Sequence, residues 1–238
     1  MSIQFPYPGG KAKIREQLFP YFPEEGRQFI EPFVGRGNIF FEFYKRAQFD
    51  SWHLNDLKLA TFFTSLRNAD LNDLPSEIDE FNFEVWQNRW LASNPIAHII
   101  EPKITFRGKG YPSGYQHGRY NKGRYRLLCQ EAKAILQDPK IKITRQDWAH
   151  LPYNDLNESD FVYLDPPYYN TKGVGYNNID HVELLTLLTN APFRWALSGY
   201  ESDLYLTWLG EPTFKLERGH EMSDDRGATT MECLWTNG

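Results

Sequence analysis

Apolar positions follow two rhythms along the chain and divide it into three zones. Residues 1–70 and 140–238 alternate short apolar runs with helix-spaced patterns, as β–α units do. QFIEPFV (28–34) predicts a buried strand running into a glycine turn, and NIFFEFYKRA (38–47) the helix after it. SWHLN (51–55) predicts a second strand, closed by Asp56 and followed by a helix to about Arg67. In the last zone, IKITR (141–145) and FVYLD (161–165) read as strands, and Pro166 and Pro167 stop the second because neither can donate to a ladder. Residues 180–190 predict a helix with Asp180 and Glu183 at capping-box spacing. FRWALSG (193–199) predicts a strand, 201–209 a short helix, and FKLER (214–218) with MECLWT (231–236) a closing antiparallel pair.

The middle zone has neither rhythm throughout. Residues 77–90 and 127–137 carry helical spacing, and residues 101–126 between them are basic. That stretch holds seven Lys or Arg residues against Glu101, with five glycines and Tyr111, Tyr115, Tyr120 and Tyr125 interleaved. Such a segment can follow a groove, neutralise phosphates and pack tyrosines on sugar or base. The expected organisation is therefore an α/β core from residues 1–70 and 138–238, with 71–137 inserted as a helical and loop lobe.

The net charge of −5 excludes a uniformly basic nucleic-acid coat and confines any such contact to that one stretch. A balance of 41% hydrophobic and 24% charged residues fits a globular chain. Cys129 and Cys233 form no CxxC, so neither a disulfide framework nor a zinc site is expected. The N-terminus has no apolar leader core, and no apolar run approaches the roughly 18 residues of a membrane span. A cytoplasmic monomer without metal is expected.

Two motifs carry chemistry. EPFVGRGN (31–38) sits at a strand-to-helix junction, and Asp56 follows Gly35 by 21 positions at the end of the next strand. That spacing matches nucleotide sites in which the acid bonds ribose hydroxyls. Phe40 occupies the third glycine's place, which disfavours a pyrophosphate and leaves room for a nucleoside without one, such as S-adenosylmethionine. The competing reading is a plain glycine turn, with Asp56 capping the next helix.

The second motif is DPPY (165–168), directly after an apolar strand. A nucleobase amino group is a weak nucleophile because its lone pair is conjugated with the ring. A site that methylates it must accept its hydrogens while the lone pair points at the donor. Asp165 and the Pro166 carbonyl, on a loop stiffened by Pro166 and Pro167, supply two such acceptors, and Tyr168 can stack on a base swung out of a duplex. The competing reading is a strand-ending turn with a partly buried tyrosine.

YPGGK (7–11), EPFVGRG (31–37), Asp56 and DPPY, in that order, resemble the DNA adenine methylase family of S-adenosylmethionine-dependent N6-adenine methyltransferases. The resemblance covers nearly the whole chain, and is strong in the motifs and weak in the insert. It implies a Rossmann-like methyltransferase fold, a mostly parallel sheet with a C-terminal antiparallel hairpin, and double-stranded DNA as partner. It further implies that Tyr7 and Lys11 flank the cofactor, with Lys11 on its carboxylate. Glu31, Phe33, Gly35, Gly37 and Asn38 would wrap the methionine end, and Asp56 would hold the ribose. Asp147 and Trp148 would receive the adenine, and Asp165, Pro166, Pro167 and Tyr168 would form the catalytic loop. Tyr7 and Trp148 depart from the family's usual Trp and Phe but keep an aromatic face.

Within the insert, Arg107, Arg119 and Arg124 are candidates for phosphate or guanine contacts and Asn121 for an adenine edge, with Lys109 and Lys122 as further DNA-binding candidates. The segment does not match the family's GATC-reading stretch, so the recognition sequence is open. Alternative functions are methylation of an RNA base or of cytosine N4, a non-catalytic DNA-binding module, and, more remotely, a dinucleotide-dependent oxidoreductase. Trp195, Trp208 and Trp235 are expected in the core rather than in the site.

Overall fold

The computed structural model describes residues 2–170, 179–219 and 229–238. Seven strands form one sheet: β1 (Glu25–Glu31), β2 (Gln48–Asn55), β3 (Ile141–Thr144), β4 (Asp160–Leu164), β5 (Arg194–Tyr200), β6 (Phe214–Gly219) and β7 (Thr229–Thr236). Their order is β3-β2-β1-β4-β5-β7-β6. The first five run parallel, and β7 pairs antiparallel with both β5 and β6. The result is the Rossmann-like, mostly parallel sheet with its antiparallel hairpin at the C-terminal end. The chain order reverses between β1 and β4, which opens a crevice at the carboxyl ends of those two strands.

Both faces of the sheet are covered, because successive strand residues point to opposite sides. Phe161 and Tyr163 of β4 join one apolar cluster, and Val162 and Leu164 join the other. On the first face lie α1 (Arg15–Leu18), α2 (Phe40–Phe43), α3 (Ala60–Asn68), α4 (Glu80–Leu91), α5 (Pro95–Ile104) and α6 (Lys122–Leu136). On the second lie α7 (His181–Thr189) and α8 (Asp203–Leu209). Ile3 and Phe5 are fully buried, so the residues before the first helix form a strap over the core. The strap is fastened by Ile3 N–H to Glu42 Oε1 (2.7 Å) and by Arg15, whose Nη1 donates to the Asn38 carbonyl (3.0 Å).

Several elements differ from the sequence expectation. β1 and β2 start three residues earlier than 28 and 51, and β1 ends at Glu31, because Pro32 has no N–H to continue the ladder. The helix expected over 38–47 shrinks to one turn, α2, flanked by turns. The basic stretch is not one loop: α5 runs through its first four residues and α6 begins at Lys122. Two prolines disguise α5. Pro95 occupies its first turn, where no N–H is needed, behind the Asn94 cap, and Pro102 lies near its end. Asp180 caps α7 by accepting Val182 and Glu183 N–H. Trp195 and Trp235 are buried, but Trp208 is 38% exposed on α8 and does not belong to the core.

The interleaved tyrosines also depart from expectation. None of the four is free to lie on a nucleic acid by its hydroxyl: Tyr111 donates to Ala97 O, Tyr115 to Ile78 O, Tyr120 to Pro75 O and Tyr125 to Ile99 O. They are struts that attach the basic segment to α5 and to residues 75–78. Their rings extend the core cluster that begins at the sheet.

Aromatic packing holds the first face. Phe43 stacks on Phe19 (ring centroids 5.5 Å apart, 26° between planes) and meets Phe22 and Phe29 edge-on or tilted at 5.3 and 5.4 Å. Phe43→Ala is expected to lower the unfolding free energy by about 3–5 kcal/mol, read by urea denaturation. A change below about 1 kcal/mol would contradict the assigned packing.

Candidate active site

The site forms where β1 and β4 end. After Glu31 the chain turns through Gly35 (φ 55°) and Gly37 (φ 73°), left-handed positions that favour glycine. Gly35 also lies against the Tyr7 ring, where a Cβ would come within 3.1 Å of it. A Cβ at Gly37 would press on the Phe41 ring at 2.8 Å. The turn is held by Val34 N–H to Asn55 O (2.9 Å) and Gly35 N–H to Asp56 Oδ2 (3.0 Å).

Asp56 thus organises the loop and also holds the turn that leads into α3, since its Oδ1 accepts Lys58 and Leu59 N–H at 2.9 and 2.8 Å. Burial raises its carboxyl from the usual range, and the three N–H donors oppose that rise. Asn55 beside it, 1% exposed, was not singled out by sequence. Its Nδ2 donates to Pro32 O and Gln146 O, both at 3.0 Å, and its Oδ1 accepts Thr144 Oγ1 and Gln146 N–H. This one amide pins the glycine loop to the segment that carries Asp147 and Trp148. A polar residue ending an apolar strand was the available signal.

Asp147 is exposed and caps the turn Trp148–His150 through Ala149 N–H (3.1 Å). Trp148 is 7% exposed and lies 6.1 Å from the Phe33 ring, so these two aromatic candidates do meet. Asn38 is buried, bonds Phe5 O at 3.4 Å, and lies so close to Gly10 that a Cβ there would approach its Nδ2 to 2.5 Å. It joins the strap to the glycine loop.

Lys11 is 2% exposed. Its ammonium lies 2.6 Å from Asp165 Oδ1, 3.4 Å from Glu232 Oε1, 3.1 Å from Gly9 O and 4.8 Å from the Tyr168 ring centroid. Lys11 is therefore engaged with the DPPY loop. Tyr168 donates its hydroxyl to Glu232, and its ring meets Tyr200 edge-on at 4.5 Å. Glu232 is the second residue that the sequence reading missed, and a carboxylate within the apolar strand run Met231–Trp235 was its signal. Pro166 is buried and Pro167 half-buried.

Burial drives the electrostatics of this crevice. It raises Asp165, with Glu232 adding to the rise and Lys11 opposing it. It raises Glu31 well above the carboxylate range, reinforced by Asp165 and Asp56. Glu31 Oε2 is buried and has no hydrogen-bond partner among the described residues. Asp165 and Glu232 meet the Lys11 ammonium here, and Glu31 lies within electrostatic reach of Lys11, Asp165 and Asp56.

The basic candidates lie to one side. Arg107, Lys109, Arg119, Asn121 and Arg124 are exposed and Lys122 is half-buried. Arg107 has positive φ (54°), and its N–H donates to Gln116 Oε1. Asn121 caps α6 through Arg124 N–H (3.0 Å). Lys103, Arg119, Asn121 and Arg124 share a cavity of about 510 Å³ with Ser2 and Gln4 of the strap, and no acidic residue lines it. Two links bring this region to the site: Gly108 abuts the Pro6 carbonyl, and Arg36 of the glycine loop bonds Glu101 of α5 (2.6 Å, both buried). Among the described residues no group of three or more His, Cys, Asp or Glu is placed to hold a metal ion. No helix among them is long and apolar enough to cross a membrane.

Comparison with known proteins adds an independent observation. Residues 7–84 match the family model of D12 class N6 adenine-specific DNA methyltransferases. The chain is 28% identical over 225 residues to a DNA N-6-adenine-methyltransferase of Escherichia phage P1, covering 81% of this chain and 28% of the relative. It is 27% identical over 176 residues to the type II methyltransferase M.CviBI of Paramecium bursaria Chlorella virus NC1A, covering 67% and 66%. The chain thus spans little more than a quarter of the phage relative's length. Among solved structures, it is similar to the C-terminal domain of precorrin-6Y C5,15-methyltransferase from Rhodobacter capsulatus (10% identity, TM-score 0.45, covering 98% of this chain and 93% of that one). Over residues 7–84 the chain is thus similar to the D12 class N6 adenine-specific DNA methyltransferases, and it carries the motifs quoted above in the same order.

Proposed function

We propose that the chain transfers a methyl group from S-adenosylmethionine to N6 of an adenine swung out of duplex DNA. The observation that carries this reading is the Asp165–Lys11 pair. A half-buried carboxylate stands at the end of β4, and a buried ammonium 2.6 Å away favours its ionised form. An ionised Asp165 accepts an N–H of the target amino group, and the Pro166 carbonyl next to it accepts the other. With both hydrogens held, the lone pair is aimed away from the ring plane toward the donor. The benefit is orientation and electrostatic stabilisation, with no strong base required.

The crevice suits S-adenosylmethionine, which supplies an electrophilic methyl group when bound. Glu31 Oε2 is an unused buried acceptor, and the gathered carboxylates exceed the Lys11 charge, so a ligand with cationic groups balances them. Glu31, the Phe33–Gly37 turn and Asp56 would hold the methionine and ribose parts, with Phe33, Asp147 and Trp148 at the adenine.

Residues 71–137 serve in this reading as the DNA lobe. Lys103 is pushed down from its ordinary range by burial and by Arg119 and Arg124. Cations crowded in a cavity without an acid are relieved by phosphate. The choice of adenine over cytosine N4 or RNA rests on the Asp that begins DPPY and on the relatives named above.

Asp165→Asn is expected to lower kcat about a hundredfold or more while DNA affinity is retained. Labelled-methyl transfer to unmethylated duplex, with binding measured in parallel, checks this, and wild-type turnover would sink the assignment. DNA affinity is expected to fall steeply with salt. Arg119→Ala should reduce the slope of log K against log salt by about one. An unchanged slope removes Arg119 from the interface. The Glu31 carboxyl titrates higher in the folded chain than in the unfolded chain, so its charge opposes folding only as pH rises through that interval. Glu31→Gln is expected to stabilise the chain at pH 8, to change it little at pH 4, and to weaken S-adenosylmethionine binding. A stability difference independent of pH would contradict this.

A further inference from the structure

Glu232 is a buried ionisable group beside the site that the proposed chemistry does not use. It is 2% exposed in β7, with Tyr200 of β5 on one side and Leu216 of β6 on the other. A carboxylate in the middle of a two-sided strand is retained only where it is paired. Two of the groups it meets belong to the site. Its Oε1 accepts the Tyr168 hydroxyl and lies 3.4 Å from Lys11 Nζ. Lys11 in turn lies 2.6 Å from Asp165 and over the Tyr168 ring.

We propose that Glu232 is a positioning residue for methyl transfer, which shares the Lys11 ammonium with Asp165 and fixes the Tyr168 ring from behind. The role rests on the methyl-transfer reading above. Glu232 does not touch the substrate. Bound to Lys11 alone, Asp165 would have its charge neutralised by one full ammonium and would accept an N–H more weakly. With the ammonium divided between two carboxylates, Asp165 is more basic and the stronger hydrogen-bond acceptor. The hydroxyl bond meanwhile leaves the Tyr168 ring one orientation. The same bond ties the DPPY loop to the C-terminal hairpin.

The groups that face Asp165 are Lys11 from the first turn, Glu31 from β1, Tyr163 from β4, Tyr168 from its own loop and Glu232 from β7. Glu232→Gln preserves the size of the side chain and removes one negative neighbour. The midpoint of Asp165, read by carbon NMR of side-chain carboxyls in the cofactor-free protein, is expected to fall by about one pH unit. The acid limb of kcat/KM on duplex DNA should fall with it, and kcat should drop about tenfold with little change in KM. Tyr168→Phe cuts the same bond from the other end. The double variant should therefore be no slower than the slower single one.

An unmoved Asp165 midpoint in folded Glu232→Gln overturns the proposal, and so do losses that multiply in the double variant. Should Glu232→Gln not fold, Tyr168→Phe decides alone: a tenfold loss of kcat at unchanged melting temperature supports the role, and wild-type kcat overturns it. A wild-type protein that transfers no methyl group fails the methyl-transfer reading itself. The NMR titration still reports in that case whether Glu232 governs Asp165.

Discussion

A buried ammonium between two carboxylates is the constraint on which the site depends. Lys11 comes from the N-terminal strap, Asp165 from the end of β4 and Glu232 from β7, and the three meet within 3.4 Å. Removing the Lys11 charge would leave two carboxylates facing each other without the ammonium between them, which is far more costly than losing a surface pair. The pairing also sets position. It fixes where the strap crosses the sheet, where the DPPY loop turns, and how Tyr168 faces the crevice. Asp165 remains 19% exposed while Lys11 and Glu232 are sealed behind it, so one member of the cluster is available to a ligand.

The sheet supplies the frame for that meeting. Chain reversal between β1 and β4 leaves their carboxyl ends without a crossing connection, and the glycine loop and DPPY loop face each other there. Short polar fasteners hold the rest. Asn55 joins the glycine loop to the Asp147 segment, Asp56 holds Gly35, and Arg36 reaches Glu101 at the far end of α5. The Arg36 guanidinium also lies over the Phe62 ring at 4.6 Å, so its charge is set in an aromatic wall. Through the Arg36–Glu101 contact the glycine loop and α5 share one rigid connection.

Much of this was legible in the sequence because strand periodicity and punctuation are local. EPFVGRGN and DPPY mark strand ends by glycine and proline, and both lie where expected. Less local features were hidden. α5 was concealed because proline reads as a breaker even in a first helical turn, where it does no harm. The tyrosines at 111, 115, 120 and 125 suggested a surface that packs on nucleic acid. Their hydroxyls bond backbone carbonyls of α5 and of residues 75–78, partners that only the fold brings near. Lys11 and Glu232 illustrate the same limit. Residue type and motif order identified the lysine, but the carboxylates it meets in the fold stand 154 and 221 positions away.

The central claim is that this cluster serves methylation of adenine N6 in duplex DNA. Its most direct test is nucleoside mass spectrometry of DNA from a host that lacks adenine methylation, with and without the chain expressed. The account predicts N6-methyladenine in the expressing cells alone, lost when Asp165 is replaced. Soluble protein that binds S-adenosylmethionine yet leaves the DNA free of N6-methyladenine, or marks cytosine instead, would contradict it.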